Sequence, residues 1–196
     1  MNEFHCLFRF VSNCGPKKRL EKFRSLRQHF PIVAFGKCIP LNETSSLNAR
    51  LDNQSNCARQ SSCEKDYLTT SKFYLAFESQ TCTDYITEKF WRTLALGAIP
   101  IVSGPNRKDF QRVAPPHSFI HIDDYESDEE LVHALTLIST TKEHFKTYHS
   151  WRRYYDVYYQ AKDVEPYRFC ELCYRLNTNQ HRIWYENLND WFLDKC

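Results

Sequence analysis

The strongest apolar-polar pattern in the chain lies between Lys72 and Gly104. The run Phe73 to Phe77 is long enough for one buried strand and breaks into the polar stretch Glu78 to Thr83. Ile86, Phe90, Leu94 and Ala98 then recur at four-residue spacing, predicting a helix capped by Asp84 or Thr83 and ended at Gly97. Ile99 to Val102 supplies another strand, and a strand-helix-strand unit implies parallel pairing with a right-handed crossover. The same order precedes it. Residues 6–14 predict a strand ending in a polar loop, Lys18 to Phe30 a helix with Leu20, Phe23, Leu26 and Phe30 on one face, and Ile32 to Phe35 a strand beyond the helix-stopping Pro31.

Between these units, residues 38–66 are rich in Asn, Ser, Gln and Arg without periodicity and predict a long surface loop. Cys57 and Cys63 can clip this loop, stay free or pair elsewhere. Further on, Arg107 to Val113 predicts a short helix and Ser118 to Ile122 a strand. Asp123-Asp124 reads as an acidic turn before the next helix rather than a metal site. Ser127 with Glu130 forms a capping box for a helix carrying Leu131, Ala134, Leu135 and Ile138, and a further helix spans Thr141 to Gln160. The aromatic-basic string Trp151 to Tyr155 sits at core spacing, so packing explains it better than nucleic-acid binding. Trp184, Leu188, Trp191 and Phe192 predict a last amphipathic helix packing back on the sheet. The alternation defines an α/β protein: a parallel-sheet domain over residues 1–160, followed by a C-terminal segment, 161–196.

Composition narrows the function. The net charge of +2 and the short basic cluster Lys17-Lys18-Arg19 leave no stripe for nucleic acid. With only four glycines, the chain holds no Gly-rich phosphate loop of the GxGxxG or Walker type. Nine cysteines and the glycosylation acceptors Asn42-Glu43-Thr44 and Asn53-Gln54-Ser55 point to an oxidising, secretory compartment. Yet no apolar run approaches the ~20 residues of a membrane span and no signal core follows Met1, which fits the C-terminal part of a longer protein.

Candidate chemistry gathers at the mouth after Phe77. In an open parallel sheet the loop after a strand and the following helix N-terminus form a crevice that favours anions. Tyr85, Glu88, Lys89 and Arg92 share one helical face, away from Ile86, Phe90 and Leu94. Such a set suits a nucleotide, with Lys89 on phosphate, Glu88 on ribose hydroxyls and Tyr85 along base or sugar. A capping acid on an exposed polar face is the plainer alternative.

The strings FYLAFES, DYITEKFWR and GAIPIVSGP, with VSNC and FGKC earlier, resemble the donor-binding core of the α1,3-fucosyltransferases. This resemblance covers residues 6–196 and implies a Rossmann-like GDP-fucose-binding domain, the C-terminal half of a GT-B glycosyltransferase. It implies an inverting transfer of L-fucose from GDP-fucose to a GlcNAc-containing glycan, on glycoprotein or glycolipid, in α1,3 linkage. Carried over residue by residue, it places Ser12, Asn13 and Arg19 at the diphosphate and Tyr74, Ser79, Tyr85, Glu88 and Lys89 around the donor. Lys18 competes with Arg19 for its place, and Ser79 stands where the family usually has Asn. The family's general base lies in the N-terminal acceptor half, so no catalytic residue is assigned here. No metal or other cofactor is required, although a divalent cation can stimulate such enzymes. Cys170 and Cys173 form a CxxC of the kind that makes structural disulfides to that half. The expected setting is the lumenal side of the Golgi, as part of a type II membrane protein anchored by a segment outside this chain. An inactive fragment or a non-catalytic nucleotide-sugar or glycan-binding module is the alternative.

Overall fold

The computed structural model describes residues 7–10, 13–36, 38, 57–58, 61–159, 161–179, 184–194 and 196. Five parallel strands form one sheet in the order β2-β1-β3-β4-β5. They are β1 (Leu7–Phe10), β2 (Val33–Phe35), β3 (Phe73–Phe77), β4 (Ile99–Ser103) and β5 (Ile120–His121). The central pairing runs in register from Phe73 opposite Ile99 to Phe77 opposite Ser103. Every residue of β3 is buried, as a parallel strand covered on both faces requires.

Helix α1 (Lys17–His29) follows β1 and lays Phe23 and Leu26 on one face of the sheet, beside Leu131, Leu135 and Ile138 of α5 (Asp128–Thr140). Helices α2 (Ser62–Thr70), α3 (Glu88–Leu96) and α4 (Arg107–Val113) cover the other face through Leu68, Phe90, Leu94 and Phe110. The chain therefore leaves β1 toward one face and β3 toward the other, although the two strands are neighbours. Diverging connections of this kind open a crevice at the C-terminal strand ends, the topological switch point of an open α/β sheet.

Local chemistry sets most boundaries. Ser127 caps α5 by accepting from the Glu130 amide, and Asn106 caps α4 through the Asp109 amide. Gly97 ends α3 in the left-handed region, at φ 109°. Gly104, at φ 135°, lets the end of β4 pass the loop after β3. A Cβ there would stand 2.7 Å from Glu78 Cβ and 2.9 Å from the Gln80 carbonyl oxygen.

Several expectations need correction. The third helix starts at Glu88 rather than near Asp84, because Asp84 takes a positive φ of 64° and the Glu78 carboxylate captures the Thr87 amide one turn later. The loop expected over 38–66 gives way to α2 from Ser62, where the Ser61 hydroxyl accepts from the Glu64 amide. Where a helix is expected over Thr141 to Gln160, the described residues 141–159 form α6 (Lys142–Thr147) and a 3-10 turn, Ser150–Arg153, that buries Trp151 and leaves Tyr154 and Tyr155 exposed. A long helix without a clear apolar period, α7 (Ala161–Thr178), had no counterpart in the sequence reading.

The last helix, α8 (Leu188–Leu193), does not pack on the sheet: Trp184, Leu188, Trp191 and Phe192 are exposed, and Tyr185 meets Trp191 in a tilted ring contact at 4.9 Å. A disulfide between Cys82 and Cys196 ties this end to the loop after β3. Cys14–Cys38 and Cys57–Cys63 are also bonded, whereas Cys170 and Cys173 are exposed free thiols on α7. No described helix is long and apolar enough to cross a membrane.

Candidate functional site

At the end of β3 the side chain of Glu78 is fully buried, with a carboxylate that must be compensated. Four donor contacts do so. The Thr87 amide donates to Oε1 at 2.8 Å, the Thr87 hydroxyl reaches both oxygens at 2.8 and 2.9 Å, and Lys89 Nζ donates to Oε2 at 2.9 Å. Glu78 thus does from the sheet what a capping side chain would do from the helix, placing an anion at the positive end of α3. Lys89 Nζ also donates to the Thr87 hydroxyl at 2.8 Å and stays partly exposed. Two of the three ammonium donors are spent on Glu78 and Thr87, and Glu88 Oε1 stands 4.0 Å from the same nitrogen.

Arg19 reaches the same region from the first turn of α1 and donates to the Asn13 carbonyl oxygen at 2.7 Å. Burial pushes its guanidinium below the ordinary arginine value, while Glu78, Tyr74 and Tyr85 oppose the shift, so these groups share one local field. Asn13 is exposed and turns its amide oxygen back to the Gly15 amide at 3.0 Å. Ser79 Oγ and Tyr85 Oη lie 3.2 Å apart, bridging the loop above the carboxylate. Arg19, Ser79, Tyr85 and Lys89 are thereby gathered around Glu78.

Glu88 sits beside this cluster, with Oε1 4.0 Å from Lys89 Nζ, and also borders a cavity. Half-exposed, it lines this cavity of about 410 Å³ between α2 and α3, with Ser61, Lys65, Leu68, Arg92, Leu96 and Tyr159 among its walls. This is large enough for part of a small-molecule ligand. Arg92 does not belong to the exposed face that its spacing suggests. It is buried and grips Glu64 of α2 through two contacts of 2.8 and 2.5 Å, a bidentate clamp that fixes the cavity wall.

Tyr74 is a second correction. It is 1% exposed and packs 4.8 Å from the Phe8 ring, so it supports the site from the core and does not reach a ligand at the mouth. Its phenol is raised above the usual value by burial first. Ser12, Asn42 and Asn53 lie outside the described residues. Among the described residues no group of three or more His, Cys, Asp or Glu could hold a metal ion. Glu78 and Glu64 had been passed over. An acid ending an apolar strand was the available signal for the first, whereas the second needs the packing of α2 on α3.

A switch-point crevice with two cations and a helix N-terminus, with a cavity beside it, makes this an open α/β domain whose mouth has the charge to suit an anion. The family model for "Glycosyltransferase family 10 (fucosyltransferase) C-term" matches residues 3–191, and the chain belongs to that family. It is 32% identical over 188 residues to glycoprotein 3-alpha-L-fucosyltransferase A of Drosophila melanogaster, covering 93% of this chain and 34% of the relative. It is 35% identical over 184 residues to alpha-(1,3)-fucosyltransferase 7 of Bos taurus, covering 93% of this chain and 48% of the relative. The chain therefore spans a third to a half of these relatives. Two crystal structures of alpha1,3-fucosyltransferase share the fold: one with TM-score 0.62 at 17% identity, over 91% of this chain and 47% of the other. The second, solved with GDP-fucose, gives 0.56 at 18% identity, over 94% and 50%. The expected parallel α/β architecture of a GT-B half is therefore the fold observed.

Proposed function

We propose that this chain is the donor-binding half of an α1,3-fucosyltransferase, which moves L-fucose from GDP-fucose to a GlcNAc-containing glycan with inversion. Arg19, Lys89 and the α3 N-terminus take the diphosphate and stabilise GDP as it leaves. Glu88 receives the ribose hydroxyls at the cavity edge, with Ser79 and Tyr85 closing over the sugar side. Glu78 is committed to Thr87 and Lys89, and, as the family resemblance implies, the carboxylate that deprotonates the acceptor belongs to the acceptor half. Ser12 and Asn13 complete the diphosphate loop, and Cys170 and Cys173 bond to the acceptor half. Asn42 and Asn53 carry glycans, and the whole protein works on glycoproteins or glycolipids in the Golgi lumen, held by a membrane segment elsewhere in its sequence. No metal ion is needed, because the two cations and the helix end supply the positive charge.

The observation that carries this reading is the Arg19, Lys89 and Glu78 cluster at the switch point of a fucosyltransferase-family sheet. Calorimetry with GDP on the wild type, Glu88→Ala and Lys89→Ala tests it. Each substitution is expected to cost about 1.5–3 kcal/mol of binding, as for other hydrogen bonds to charged groups. Equal affinity in all three proteins refutes the assignment.

The Ser79 hydroxyl, already engaged with Tyr85, supports a second reading, a non-catalytic nucleotide-sugar module. Retained GDP binding without fucose transfer by the full-length protein would select it.

A further inference from the structure

The most anomalous charge in the molecule is Arg9. It stands on β1, next to last in the strand and 2% exposed, and its two terminal nitrogens have no hydrogen-bond partner. Its guanidinium lies over the Phe23 ring at 4.5 Å and the Phe77 ring at 5.6 Å, in the core layer under α1. A buried cation without a carboxylate is among the costliest arrangements a core can hold, and ring faces recover only part of the cost. No apolar residue of that size would carry the penalty. Burial, with Arg19 second, pushes the group down to about 9, so it remains charged at neutral pH. Its surroundings locate it: Phe77 ends β3 immediately before Glu78, and the Arg19 charge acts on it directly.

We propose that Arg9 is a buried third cation of the diphosphate crevice, held uncompensated beneath Arg19 so that the positive field is completed by the ligand's phosphates. The inference rests on the donor reading above. Arg9 does not touch the ligand. Its charge acts across a core layer where water screens little, and it adds to the attraction of Arg19 and Lys89 for GDP over uncharged guanosine. The residue is therefore a positioning charge rather than a catalytic residue.

Ligand-observed NMR titrations of the oxidised 196-residue chain with GDP and guanosine, on wild type, Arg9→Met and Arg9→Lys, test this. The expected results are an about tenfold loss of GDP affinity in Arg9→Met, unchanged guanosine affinity, and near wild-type GDP affinity in Arg9→Lys. Without ligand, Arg9→Met should melt no lower than wild type, because an unpaired charge has left the core. The same GDP-to-guanosine ratio in wild type and Arg9→Met overturns the proposal while leaving the donor site standing. If wild type does not bind GDP, the donor reading falls. A pyrophosphate-induced rise in melting temperature that Arg9→Met lacks would then still support the buried cation, and no rise in wild type would overturn it as well. Should Arg9→Met fail to fold, Arg9→Leu takes its place, and failure of both assigns Arg9 to the core and ends the proposal.

Discussion

Replacing Glu78 by Gln separates the two tasks of the carboxylate. Gln keeps an acceptor for the Thr87 amide and the shape of the side chain but removes the charge that holds Lys89 at 2.9 Å. The buried network then loses a charge-assisted bond, a loss of about 1–3 kcal/mol. At about 2–4 °C per kcal/mol for a domain of this size, melting should fall by about 2–12 °C. Binding of GDP should move the other way. A unit charge about 7 Å from a phosphate at an effective dielectric of about 20 contributes about 2 kcal/mol of repulsion, and salt at the open mouth reduces this to about 1. GDP should therefore bind about fivefold more tightly to a less stable protein. Differential scanning fluorimetry and calorimetry at low and moderate salt measure both. A fall in melting temperature with GDP affinity within twofold of wild type would refute the placement of the Lys89 charge at the diphosphate.

Two further predictions concern the frame around the site. Glu64→Ala leaves the Arg92 guanidinium buried without its clamp, so stability should fall by about 3–5 kcal/mol, while Glu64→Gln should lose clearly less; equal losses in chemical denaturation would contradict a bidentate ion pair. His149 is pushed down to about 4 by burial first and Arg152 second, so the folded protein holds it neutral while the unfolded chain protonates near pH 6.5. Stability should be level above that value and fall as pH drops toward 4, by about 1 kcal/mol from this group once solvent screening is allowed for. In melting curves across that range His149→Phe should flatten the slope, and an unchanged slope would remove His149 as its source.

Much of the frame was legible because the strands announce themselves. Phe73 to Phe77 and Arg107 to Val113 emerge at the expected bounds, and the two strand-helix-strand units pair in parallel. What local pattern cannot carry is the partner chosen across space. Arg92 shares a helical period with Lys89, yet one is sealed by Glu64 from another helix and the other is held at the mouth by Glu78 from a strand. The helix start moved by a turn for the same reason, since the capping carboxylate is nine residues upstream of Thr87 rather than beside it. Tyr74 lies in a strand buried on both faces, which counts against a ligand contact. Arg9, inside an apolar run, read only as a strand residue, because its lack of a partner shows only once the core is assembled.

Hydrogen-deuterium exchange with and without GDP reads the crevice directly. The expected result is protection of amides in 13–20 and 78–90, at the ends of β1 and β3, with 118–140 unchanged. Protection confined to β5 and α5, or none at saturating GDP, would show that the nucleotide does not dock at the switch point.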